Sequence, residues 1–107
     1  NYLGLAKRSR HLIGGTDSTL KALQNNKLYL IVLANDASLG TKDKITKKAF
    51  FYKVPVLDIY DSKTISQATG IKNPVVTSID DAGLAKAILN TIEANNWKKV
   101  DQWKSKI

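Results

Sequence analysis

Residues 28–35, "LYLIVLAN", form a near-continuous apolar run that decides the class of the fold. A run of this kind is typical of a strand buried on both faces, because each side of the pleat must then be apolar. With seven apolar residues it is too short to cross a bilayer, which takes about 20. It therefore predicts a central strand in a sheet that helices cover on both sides.

Helical and strand-like patterns alternate on either side of this run, which predicts the α/β class. Gly70 is placed to end a helix, and Asp80 or Asp81 to begin the last one. The predicted helices are 2–10, 16–26, 39–52, a helix from a Ser62 cap to Thr69, and 82–95. The other predicted strands are 11–15, 54–60 and 74–79, and 54–60 is expected to be a second central strand.

The spacing of apolar residues predicts which side of each helix faces the core. The expected inward positions are Leu3, Ala6, Arg10, Leu20, Leu23, Ile45, Ala49, Tyr52, Leu84, Ile88 and Ile92. On the second helix, Ser18, Lys21 and Asn25 share the outer face. Their side chains are therefore available to a partner.

The chain carries a formal net charge of +8, which is unevenly distributed. Residues 1–53 contribute +7, residues 54–94 contribute −2 and residues 95–107 contribute +3. A basic front half beside a near-neutral back half predicts an anionic partner bound on one side, although solubility alone is the alternative explanation. We interpret 1–94 as a single domain and 95–107 as a basic extension that contains both tryptophans.

The sequence lacks the residues that several classes of active site need. There is no cysteine, and His11 is the single histidine, so a thiolate or histidine metal site and a cysteine nucleophile are not expected. The sequence contains no Walker A motif, no G-x-G-x-x-G and no G-x-S-x-G. We expect no enzyme activity, no cofactor and no metal.

Carboxylates near strand ends leave one catalytic alternative open. Asp36, Asp58, Asp61 and Asp80 lie where active sites of open α/β sheets are usually found. They could form a phospho-acceptor or metal site if at least two of them converged with a cation. The other interpretation is that such residues cap helices, as we expect for Ser62, Asp80 and Asp81.

Two glycines stand directly before the second helix, in "HLIGGTDSTLKAL" at residues 11–23. A helix N-terminus presents backbone N–H groups without partners and a partial positive charge. Gly14 and Gly15 would let an anionic backbone approach this end. Thr16 and Ser18 would add hydroxyl groups, and Lys21 a cation. The segment therefore predicts a phosphate-binding surface, although a tight strand-to-helix turn is the plain alternative.

The arrangement as a whole resembles the kink-turn-binding ribosomal protein family, and within it the bacterial YlxQ-type branch. The resemblance covers about residues 3–94. It is carried by "LGLAKRSRHLIGGTDSTLKAL" (3–23), "LIVLANDAS" (30–38), "KITKKAFFYKVPVL" (44–57) and "ATGIKNPVV" (68–76), in the family's order and spacing. It implies a three-layer α/β/α sandwich with a mixed four-stranded sheet, and an RNA site built from three pieces.

The three pieces of the implied RNA site are the helix start after the glycines, the segment after the central strand, and the loop before the last strand. The resemblance places in them Gly14, Gly15, Thr16, Asp17, Ser18, Lys21, Ser38, Lys42, Ile71, Lys72, Asn73 and Val76. Gly15 and Lys21 match the family pattern G-x-N-E-x-x-K. Asp17 and Ser18 depart from it, because family members there use asparagine and glutamate to read guanine edges.

The departures change the expected mode of binding. An ionised Asp17 cannot donate a hydrogen bond and repels phosphate, and Ser18 is shorter than glutamate. Phosphate contacts from lysines would then dominate, with a strong salt dependence. The lysines available for this are Lys7, Lys21, Lys42, Lys44, Lys47 and Lys48.

Taken together, these features predict a non-enzymatic, monomeric, cytoplasmic protein. Its expected partner is structured RNA such as a kink-turn, including ribosomal RNA, with no membrane and no small-molecule cofactor. Two alternatives stay open: a protein-interaction module of the same fold that has lost RNA binding, and the carboxylate-based domain described above.

Overall fold

A computed structural model describes residues 2–91 of the chain, and within them helices and strands alternate. The helices are α1 (Tyr2–Arg8), α2 (Thr16–Gln24), α3 (Leu39–Tyr52), α4 (Ser62–Thr69) and α5, which occupies 82–91 at the end of the described part. The strands are β1 (Leu12–Gly14), β2 (Leu30–Leu33), β3 (Val56–Leu57) and β4 (Val76–Ile79). Two predictions, the inward position of Ile92 and the basic extension at 95–107, concern residues outside the described part.

The four strands form one mixed sheet in the order β1-β4-β2-β3. Strand β4 runs antiparallel to both of its neighbours, pairing Leu12 with Ile79 and Leu33 with Val76. Strand β3 runs parallel to β2, pairing Ile31 with Val56. The predicted mixed four-stranded sheet is therefore confirmed.

The predicted position of the 54–60 segment is wrong in one respect. It was expected to be a second central strand, but β3 lies at an edge of the sheet and is paired over Val56 and Leu57. Both residues are buried, because helices cover this edge strand on its two faces. An apolar run records burial and does not record how many neighbouring strands provide it.

Two hydrophobic clusters lie on opposite faces of the sheet and make the sandwich three-layered. One cluster joins α1, α4 and α5 to the sheet, and the other joins α2 and α3. Strand β2 supplies both clusters in alternation: Leu30 and Val32 pack in the first, Ile31 and Leu33 in the second. This alternation is the physical reason for the continuous apolar run, since side chains of a strand point to opposite faces in turn.

Most predicted helix boundaries agree with the structure to within two residues: α2, for example, ends at Gln24 where residue 26 was predicted. Two further details differ. Helix α1 ends at Arg8, and the predicted inward Arg10 is exposed with a φ of 66°. The cap of α4 is Asp61, while Ser62 is its first helical residue. Gly70 ends α4 as predicted, with a φ of 75°.

Helix α5 settles the choice between two predicted caps. Asp81 Oδ2 accepts a hydrogen bond from the backbone N–H of Leu84 at 2.8 Å, so Asp81 is the residue that caps this helix. The Asp80 carboxylate instead contacts His11. No helix within residues 2–91 combines the length and apolar character that crossing a bilayer would require.

Candidate nucleic-acid interface

The sheet topology brings the three predicted pieces of the site to one end of the sheet. Strands β1 and β2 end there and β4 begins there, because β4 is antiparallel to both. The turn before α2, the segment after β2 and the loop before β4 all leave the sheet at this end. Segments far apart in the sequence therefore become neighbours.

Backbone hydrogen bonds join these pieces directly. The N–H of Gly15 donates to the carbonyl oxygen of Val76 at 2.8 Å. The N–H of Ala34 donates to the carbonyl oxygen of Val75, also at 2.8 Å. The start of β4 thus holds the glycine turn (residues 14–18) on one side and the end of β2 on the other.

Gly15 is the N-cap residue of α2, and it has a conformation that requires glycine. Its φ and ψ are 105° and 151°, a region that residues with a Cβ essentially do not occupy. No atom lies within 4 Å of where a Cβ would stand, so the space beside it is open. Within the described structure no side chain caps α2, so its first-turn N–H groups have no acceptor among the protein's own side chains.

Gly14 also has a packing role that the sequence did not predict. A Cβ on Gly14 would lie 3.3 Å from Cδ1 of Ile71, in the loop before β4. The missing side chain therefore makes room for a protein side chain as well as for any ligand. This contact joins the glycine turn to the 70–76 loop (residues 70–76), and Gly15 is the glycine that opens towards solvent.

The polar residues of the glycine turn are accessible. Asp17, Ser18 and Lys21 are exposed, and Thr16 is half-buried. Lys21 lies in the last turn of α2 and Asp17 in the first. Lys21 and Asp17, the residue that departs from the family pattern, therefore both lie on the surface of α2.

The 70–76 loop is held from within. The hydroxyl of the buried Thr69 accepts a hydrogen bond from the N–H of Ile71 at 3.2 Å and donates to the carbonyl of Ile65 at 2.8 Å. Lys72 and Asn73 are exposed at the tip, and Asn73 has a φ of 52°. Asparagine adopts this left-handed conformation more readily than most residues that have a Cβ, so Asn73 suits its position.

Val76 is the predicted site residue whose side chain the fold removes from the surface. It is 1% exposed and packs with α2 and α3, so its carbonyl contributes to the site's framework while its side chain belongs to the core. The neighbouring Val75 is half-buried. The alternation of the strand, which the motif does not report, decides which valine faces outward.

Ser38 and Lys42 lie at the start of α3, on the β2 side of the loop. Ser38 caps this helix: its Oγ accepts from the N–H of Thr41 at 3.2 Å. Lys42 is half-buried and close enough to Asp36 for its charge to help lower the pKa of that carboxyl group. The Ser38 hydroxyl is thus used within the protein, while no hydrogen bond or salt bridge of the Lys42 side chain is found in the described part.

The start of α4, at the same end of the sheet, binds two carboxylates. Asp36 accepts from the hydroxyl and the N–H of Ser62, at 2.7 and 2.9 Å, and these bonds hold its pKa below the usual value. Asp61 accepts from Thr64 N–H at 2.8 Å, and hydrogen bonding to Thr64 likewise lowers its pKa. Both carboxylates are occupied as acceptors for helix α4.

The remaining carboxylates of the catalytic alternative do not join these two. Asp80 Oδ1 lies 2.9 Å from His11 Nδ1, at the opposite end of the sheet where β1 begins and β4 ends. Asp58 is half-buried beyond β3. In the part of the chain that the structure describes, no group of three or more His, Cys, Asp or Glu residues is placed to hold a metal ion.

Sequence reasoning missed the hydrogen bond that anchors α2 to the sheet. The hydroxyls of Thr19 and Ser78 lie 3.1 Å apart, and both residues are fully buried. A signal for Thr19 was present, since it precedes Ala22 and Leu23 by three and four positions on the inward stripe. Its partner, 59 residues away, leaves no local pattern.

Known proteins resemble this chain in sequence, and solved structures resemble it in fold. The model of the ribosomal protein L7Ae/L30e/S12e/Gadd45 family matches residues 1–89. The chain is 32% identical over 91 residues to "RNA-binding protein YlxQ" of Bacillus subtilis, covering 85% of this chain and 91% of that protein. It is 38% identical over 93 residues to the protein of the same name from Enterococcus faecium, covering 87% and 89%.

Two solved structures resemble the fold. A protein of unknown function from Bacillus halodurans superposes with a TM-score of 0.82 at 34% identity, covering 86% of this chain and 93% of that one. The Giardia lamblia 15.5kD RNA binding protein superposes with a TM-score of 0.74 at 20% identity, covering 87% and 82%. The second likeness concerns the fold alone. The resemblance read from the sequence is thus confirmed, and the chain belongs to the ribosomal protein L7Ae/L30e/S12e/Gadd45 family.

Proposed function

We propose that this chain is a non-enzymatic RNA-binding protein that recognises a kink-turn or a similarly bent, structured RNA. The observation that carries the proposal is the α2 start: a glycine N-cap with open space beside it, no side-chain cap, and a backbone bond to the loop before β4. The names of the two bacterial relatives, which describe RNA-binding proteins, support it. So does the net charge of +8.

The proposed mechanism is recognition of RNA shape by a rigid surface. RNA phosphates would approach the first-turn N–H groups of α2, where the helix dipole is positive. Lys21 and Lys72 would neutralise phosphates on the two sides of the turn, and Ile71 would offer an apolar contact. The protein surface is held by backbone bonds, so the RNA supplies most of the deformation.

Asp17 and Ser18 shape this proposal. Neither residue can make the contacts that asparagine and glutamate make to guanine edges in the family. Binding should therefore depend on bent shape and phosphate contacts more than on the identity of the G·A pairs. Association with ribosomal RNA, a cytoplasmic location and a monomeric state are further parts of this proposal.

The test is a titration of three RNAs at several salt concentrations: a kink-turn, the same RNA without its G·A pairs, and a plain duplex. We expect the kink-turn to bind more tightly than the duplex and its affinity to fall with salt, because counterions are released from phosphates. Equal affinity for all three would reduce the function to general RNA binding. No binding to any of them at low salt would favour the protein-interaction alternative.

A further inference from the structure

Helix α3 exposes more apolar surface than any other described element. Among residues 2–91, the three most exposed large apolar side chains all lie on it: Leu39 at 82%, Phe51 at 75% and Phe50 at 69%. Its inward positions, Ile45 and Ala49, are by contrast buried. Two adjacent exposed phenylalanines are unusual on a small domain and indicate a surface that is used.

Lysines lie between and beside these apolar side chains. Lys47 precedes Phe50 and Phe51 by three and four positions, so the three side chains share one face of the helix. Lys44 and Lys48 flank this stripe, and both are exposed. We call Lys44, Lys47, Lys48, Phe50 and Phe51 the aromatic–lysine face. The one acid on α3, Asp43, is paired with Lys47 at 3.0 Å and offsets its charge, so the net positive charge of the face comes from Lys44 and Lys48.

Helix α3 links the aromatic–lysine face to the candidate interface. Helix α3 begins after Ser38, within the second predicted piece of the site, and runs about 18 Å from Leu39 to Phe51. The ring of Phe51 also meets the ring of Tyr52 edge to face, with centroids 5.0 Å apart, and this contact restricts its motion. A ring that is already ordered loses less rotamer freedom when a ligand stacks on it.

We propose that the aromatic–lysine face binds an unpaired RNA strand that leaves the structured element held at the α2 start. Phe50 and Phe51 stack on bases, while Lys44, Lys47 and Lys48 contact phosphates. Alternating aromatic and cationic groups are what single-stranded nucleic acid requires, because every base has a π-face and every nucleotide a negative charge. The proposal rests on the proposed function and extends its footprint along a second helix.

The charge of the face argues for RNA over a second copy of the chain. A symmetric pair meeting through α3 would bring its lysines close to those of the partner, and like charges in an interface are costly. An acidic protein segment is the remaining competitor. It would use the phenylalanines as apolar anchors and would not depend on RNA bases.

The experiment compares a blunt-ended kink-turn RNA with the same RNA carrying an unpaired extension of about eight nucleotides on either strand end. We expect one extension to tighten binding to the full chain. The double variant Phe50→Ala/Phe51→Ala should remove that gain, about tenfold in affinity, without changing binding of the blunt RNA. The double variant Lys44→Ala/Lys47→Ala should lower the salt slope for the extended RNA by about 0.7 per lysine.

Matched controls lie on the opposite layer of the sandwich. Tyr2→Ala removes an exposed aromatic ring from α1, and Lys86→Ala removes an exposed lysine from α5. Neither should alter the gain from the extension. Circular dichroism of each variant checks that the fold is kept.

The outcomes separate this proposal from the proposed function. If the blunt RNA binds and neither extension strengthens it, the single-strand assignment is overturned while the function stands. If the phenylalanine variant weakens blunt and extended RNA equally, the face belongs to the structured-RNA site and the assignment is again overturned. If the blunt RNA does not bind, the unpaired strand is titrated alone, and equal affinity for wild type and the phenylalanine variant overturns the proposal.

Discussion

Two helices begin at the same end of the sheet, and they treat their first-turn N–H groups in opposite ways. At the start of helix α4 two carboxylates accept hydrogen bonds from backbone N–H groups: Asp61 from Thr64 and Asp36 from Ser62. Helix α2 starts at Gly15 with no side-chain cap within the described structure. In any α-helix the first N–H groups have no partner within the helix, so both helices need acceptors from elsewhere. At α4 the protein supplies the anion, and at α2 it leaves the place open.

The difference leaves the α2 start as the one of these two helix starts that can accept an anion from outside the protein. The carboxylates of Asp36 and Asp61 at the α4 start accept hydrogen bonds from its N–H groups, and their charge is unfavourable to a phosphate there. At the α2 start the space beside Gly15 is empty, and Lys21 lies in the last turn of the same helix. Helix α2 is held instead by its buried side, through the hydroxyls of Thr19 and Ser78.

The largest effect is expected from a substitution that places a carboxylate at the start of α2, as at the start of α4. We expect Gly15→Asp to bind a kink-turn RNA at least about tenfold more weakly than Gly15→Ala does, because its carboxylate takes the donors and repels phosphate. Both variants share the backbone strain at φ 105°, so their difference isolates the charge. Affinity measured by titration gives the answer, and equal affinities for the two variants would contradict the assignment.

The strain itself can be measured on the same variant. Gly15→Ala should lower the free energy of unfolding by about 1–3 kcal/mol, because its φ and ψ lie in a region almost confined to glycine. Gly40→Ala is the control: this helical glycine has open space around it and a φ outside the left-handed range. It should leave stability unchanged or raise it by up to about 1 kcal/mol. Urea unfolding measures both, and similar effects of the two variants would contradict the argument.

The buried anchor of α2 is tested by Thr19→Val. This change keeps the shape of the side chain and leaves the hydroxyl of Ser78 without its partner, so it should cost about 1–3 kcal/mol of stability. The double variant Thr19→Val/Ser78→Ala should lose less than the single one, since no hydroxyl is then left unpaired. Additive losses in urea unfolding would indicate that the two residues act separately.

The electrostatic part of the contrast is sharpened by a pair of lysine variants. Lys21→Ala should reduce the slope of log affinity against log salt by about one unit, because one phosphate contact is lost. Lys63→Ala, in the first turn of α4, should leave the slope unchanged. A similar reduction in both would mean that RNA spans the two helix starts.

The smallest expected effect is the response of the α4 start to acid. The pKa values of Asp36 and Asp61 are lowered in the folded protein, so their stabilisation is present above the ordinary carboxyl pKa and is lost as pH falls through the lowered values. We expect amide exchange in the first turn of α4 to rise below about pH 4, while exchange at the α2 start does not follow this titration. Asp61→Asn should weaken the response, and an unchanged response would remove these carboxylates as its cause.

The local patterns were reliable where burial is regular. The bounds predicted for 39–52 coincide with α3, and the apolar run at 28–35 contains β2 with its four buried residues. The sequence also placed the glycine pair correctly at the start of α2, because two glycines before a polar helix start are typical of a strand-to-helix turn. Its two members nevertheless do different things: Gly15 needs its backbone angle, and Gly14 makes room for Ile71.

By itself, the sequence determined the α/β class, the resemblance to the family and the three segments of the candidate site. Periodicity and turn residues carry that information because they reflect the surroundings of each residue in turn. The tertiary structure decided what depends on the path of the chain. It placed β3 at an edge, turned Val76 inward, and brought Asp36 to accept a hydrogen bond from Ser62, 26 positions away. A hydrogen bond between distant residues leaves no periodic trace in either segment, so only the folded chain shows which helix start is filled and which is open.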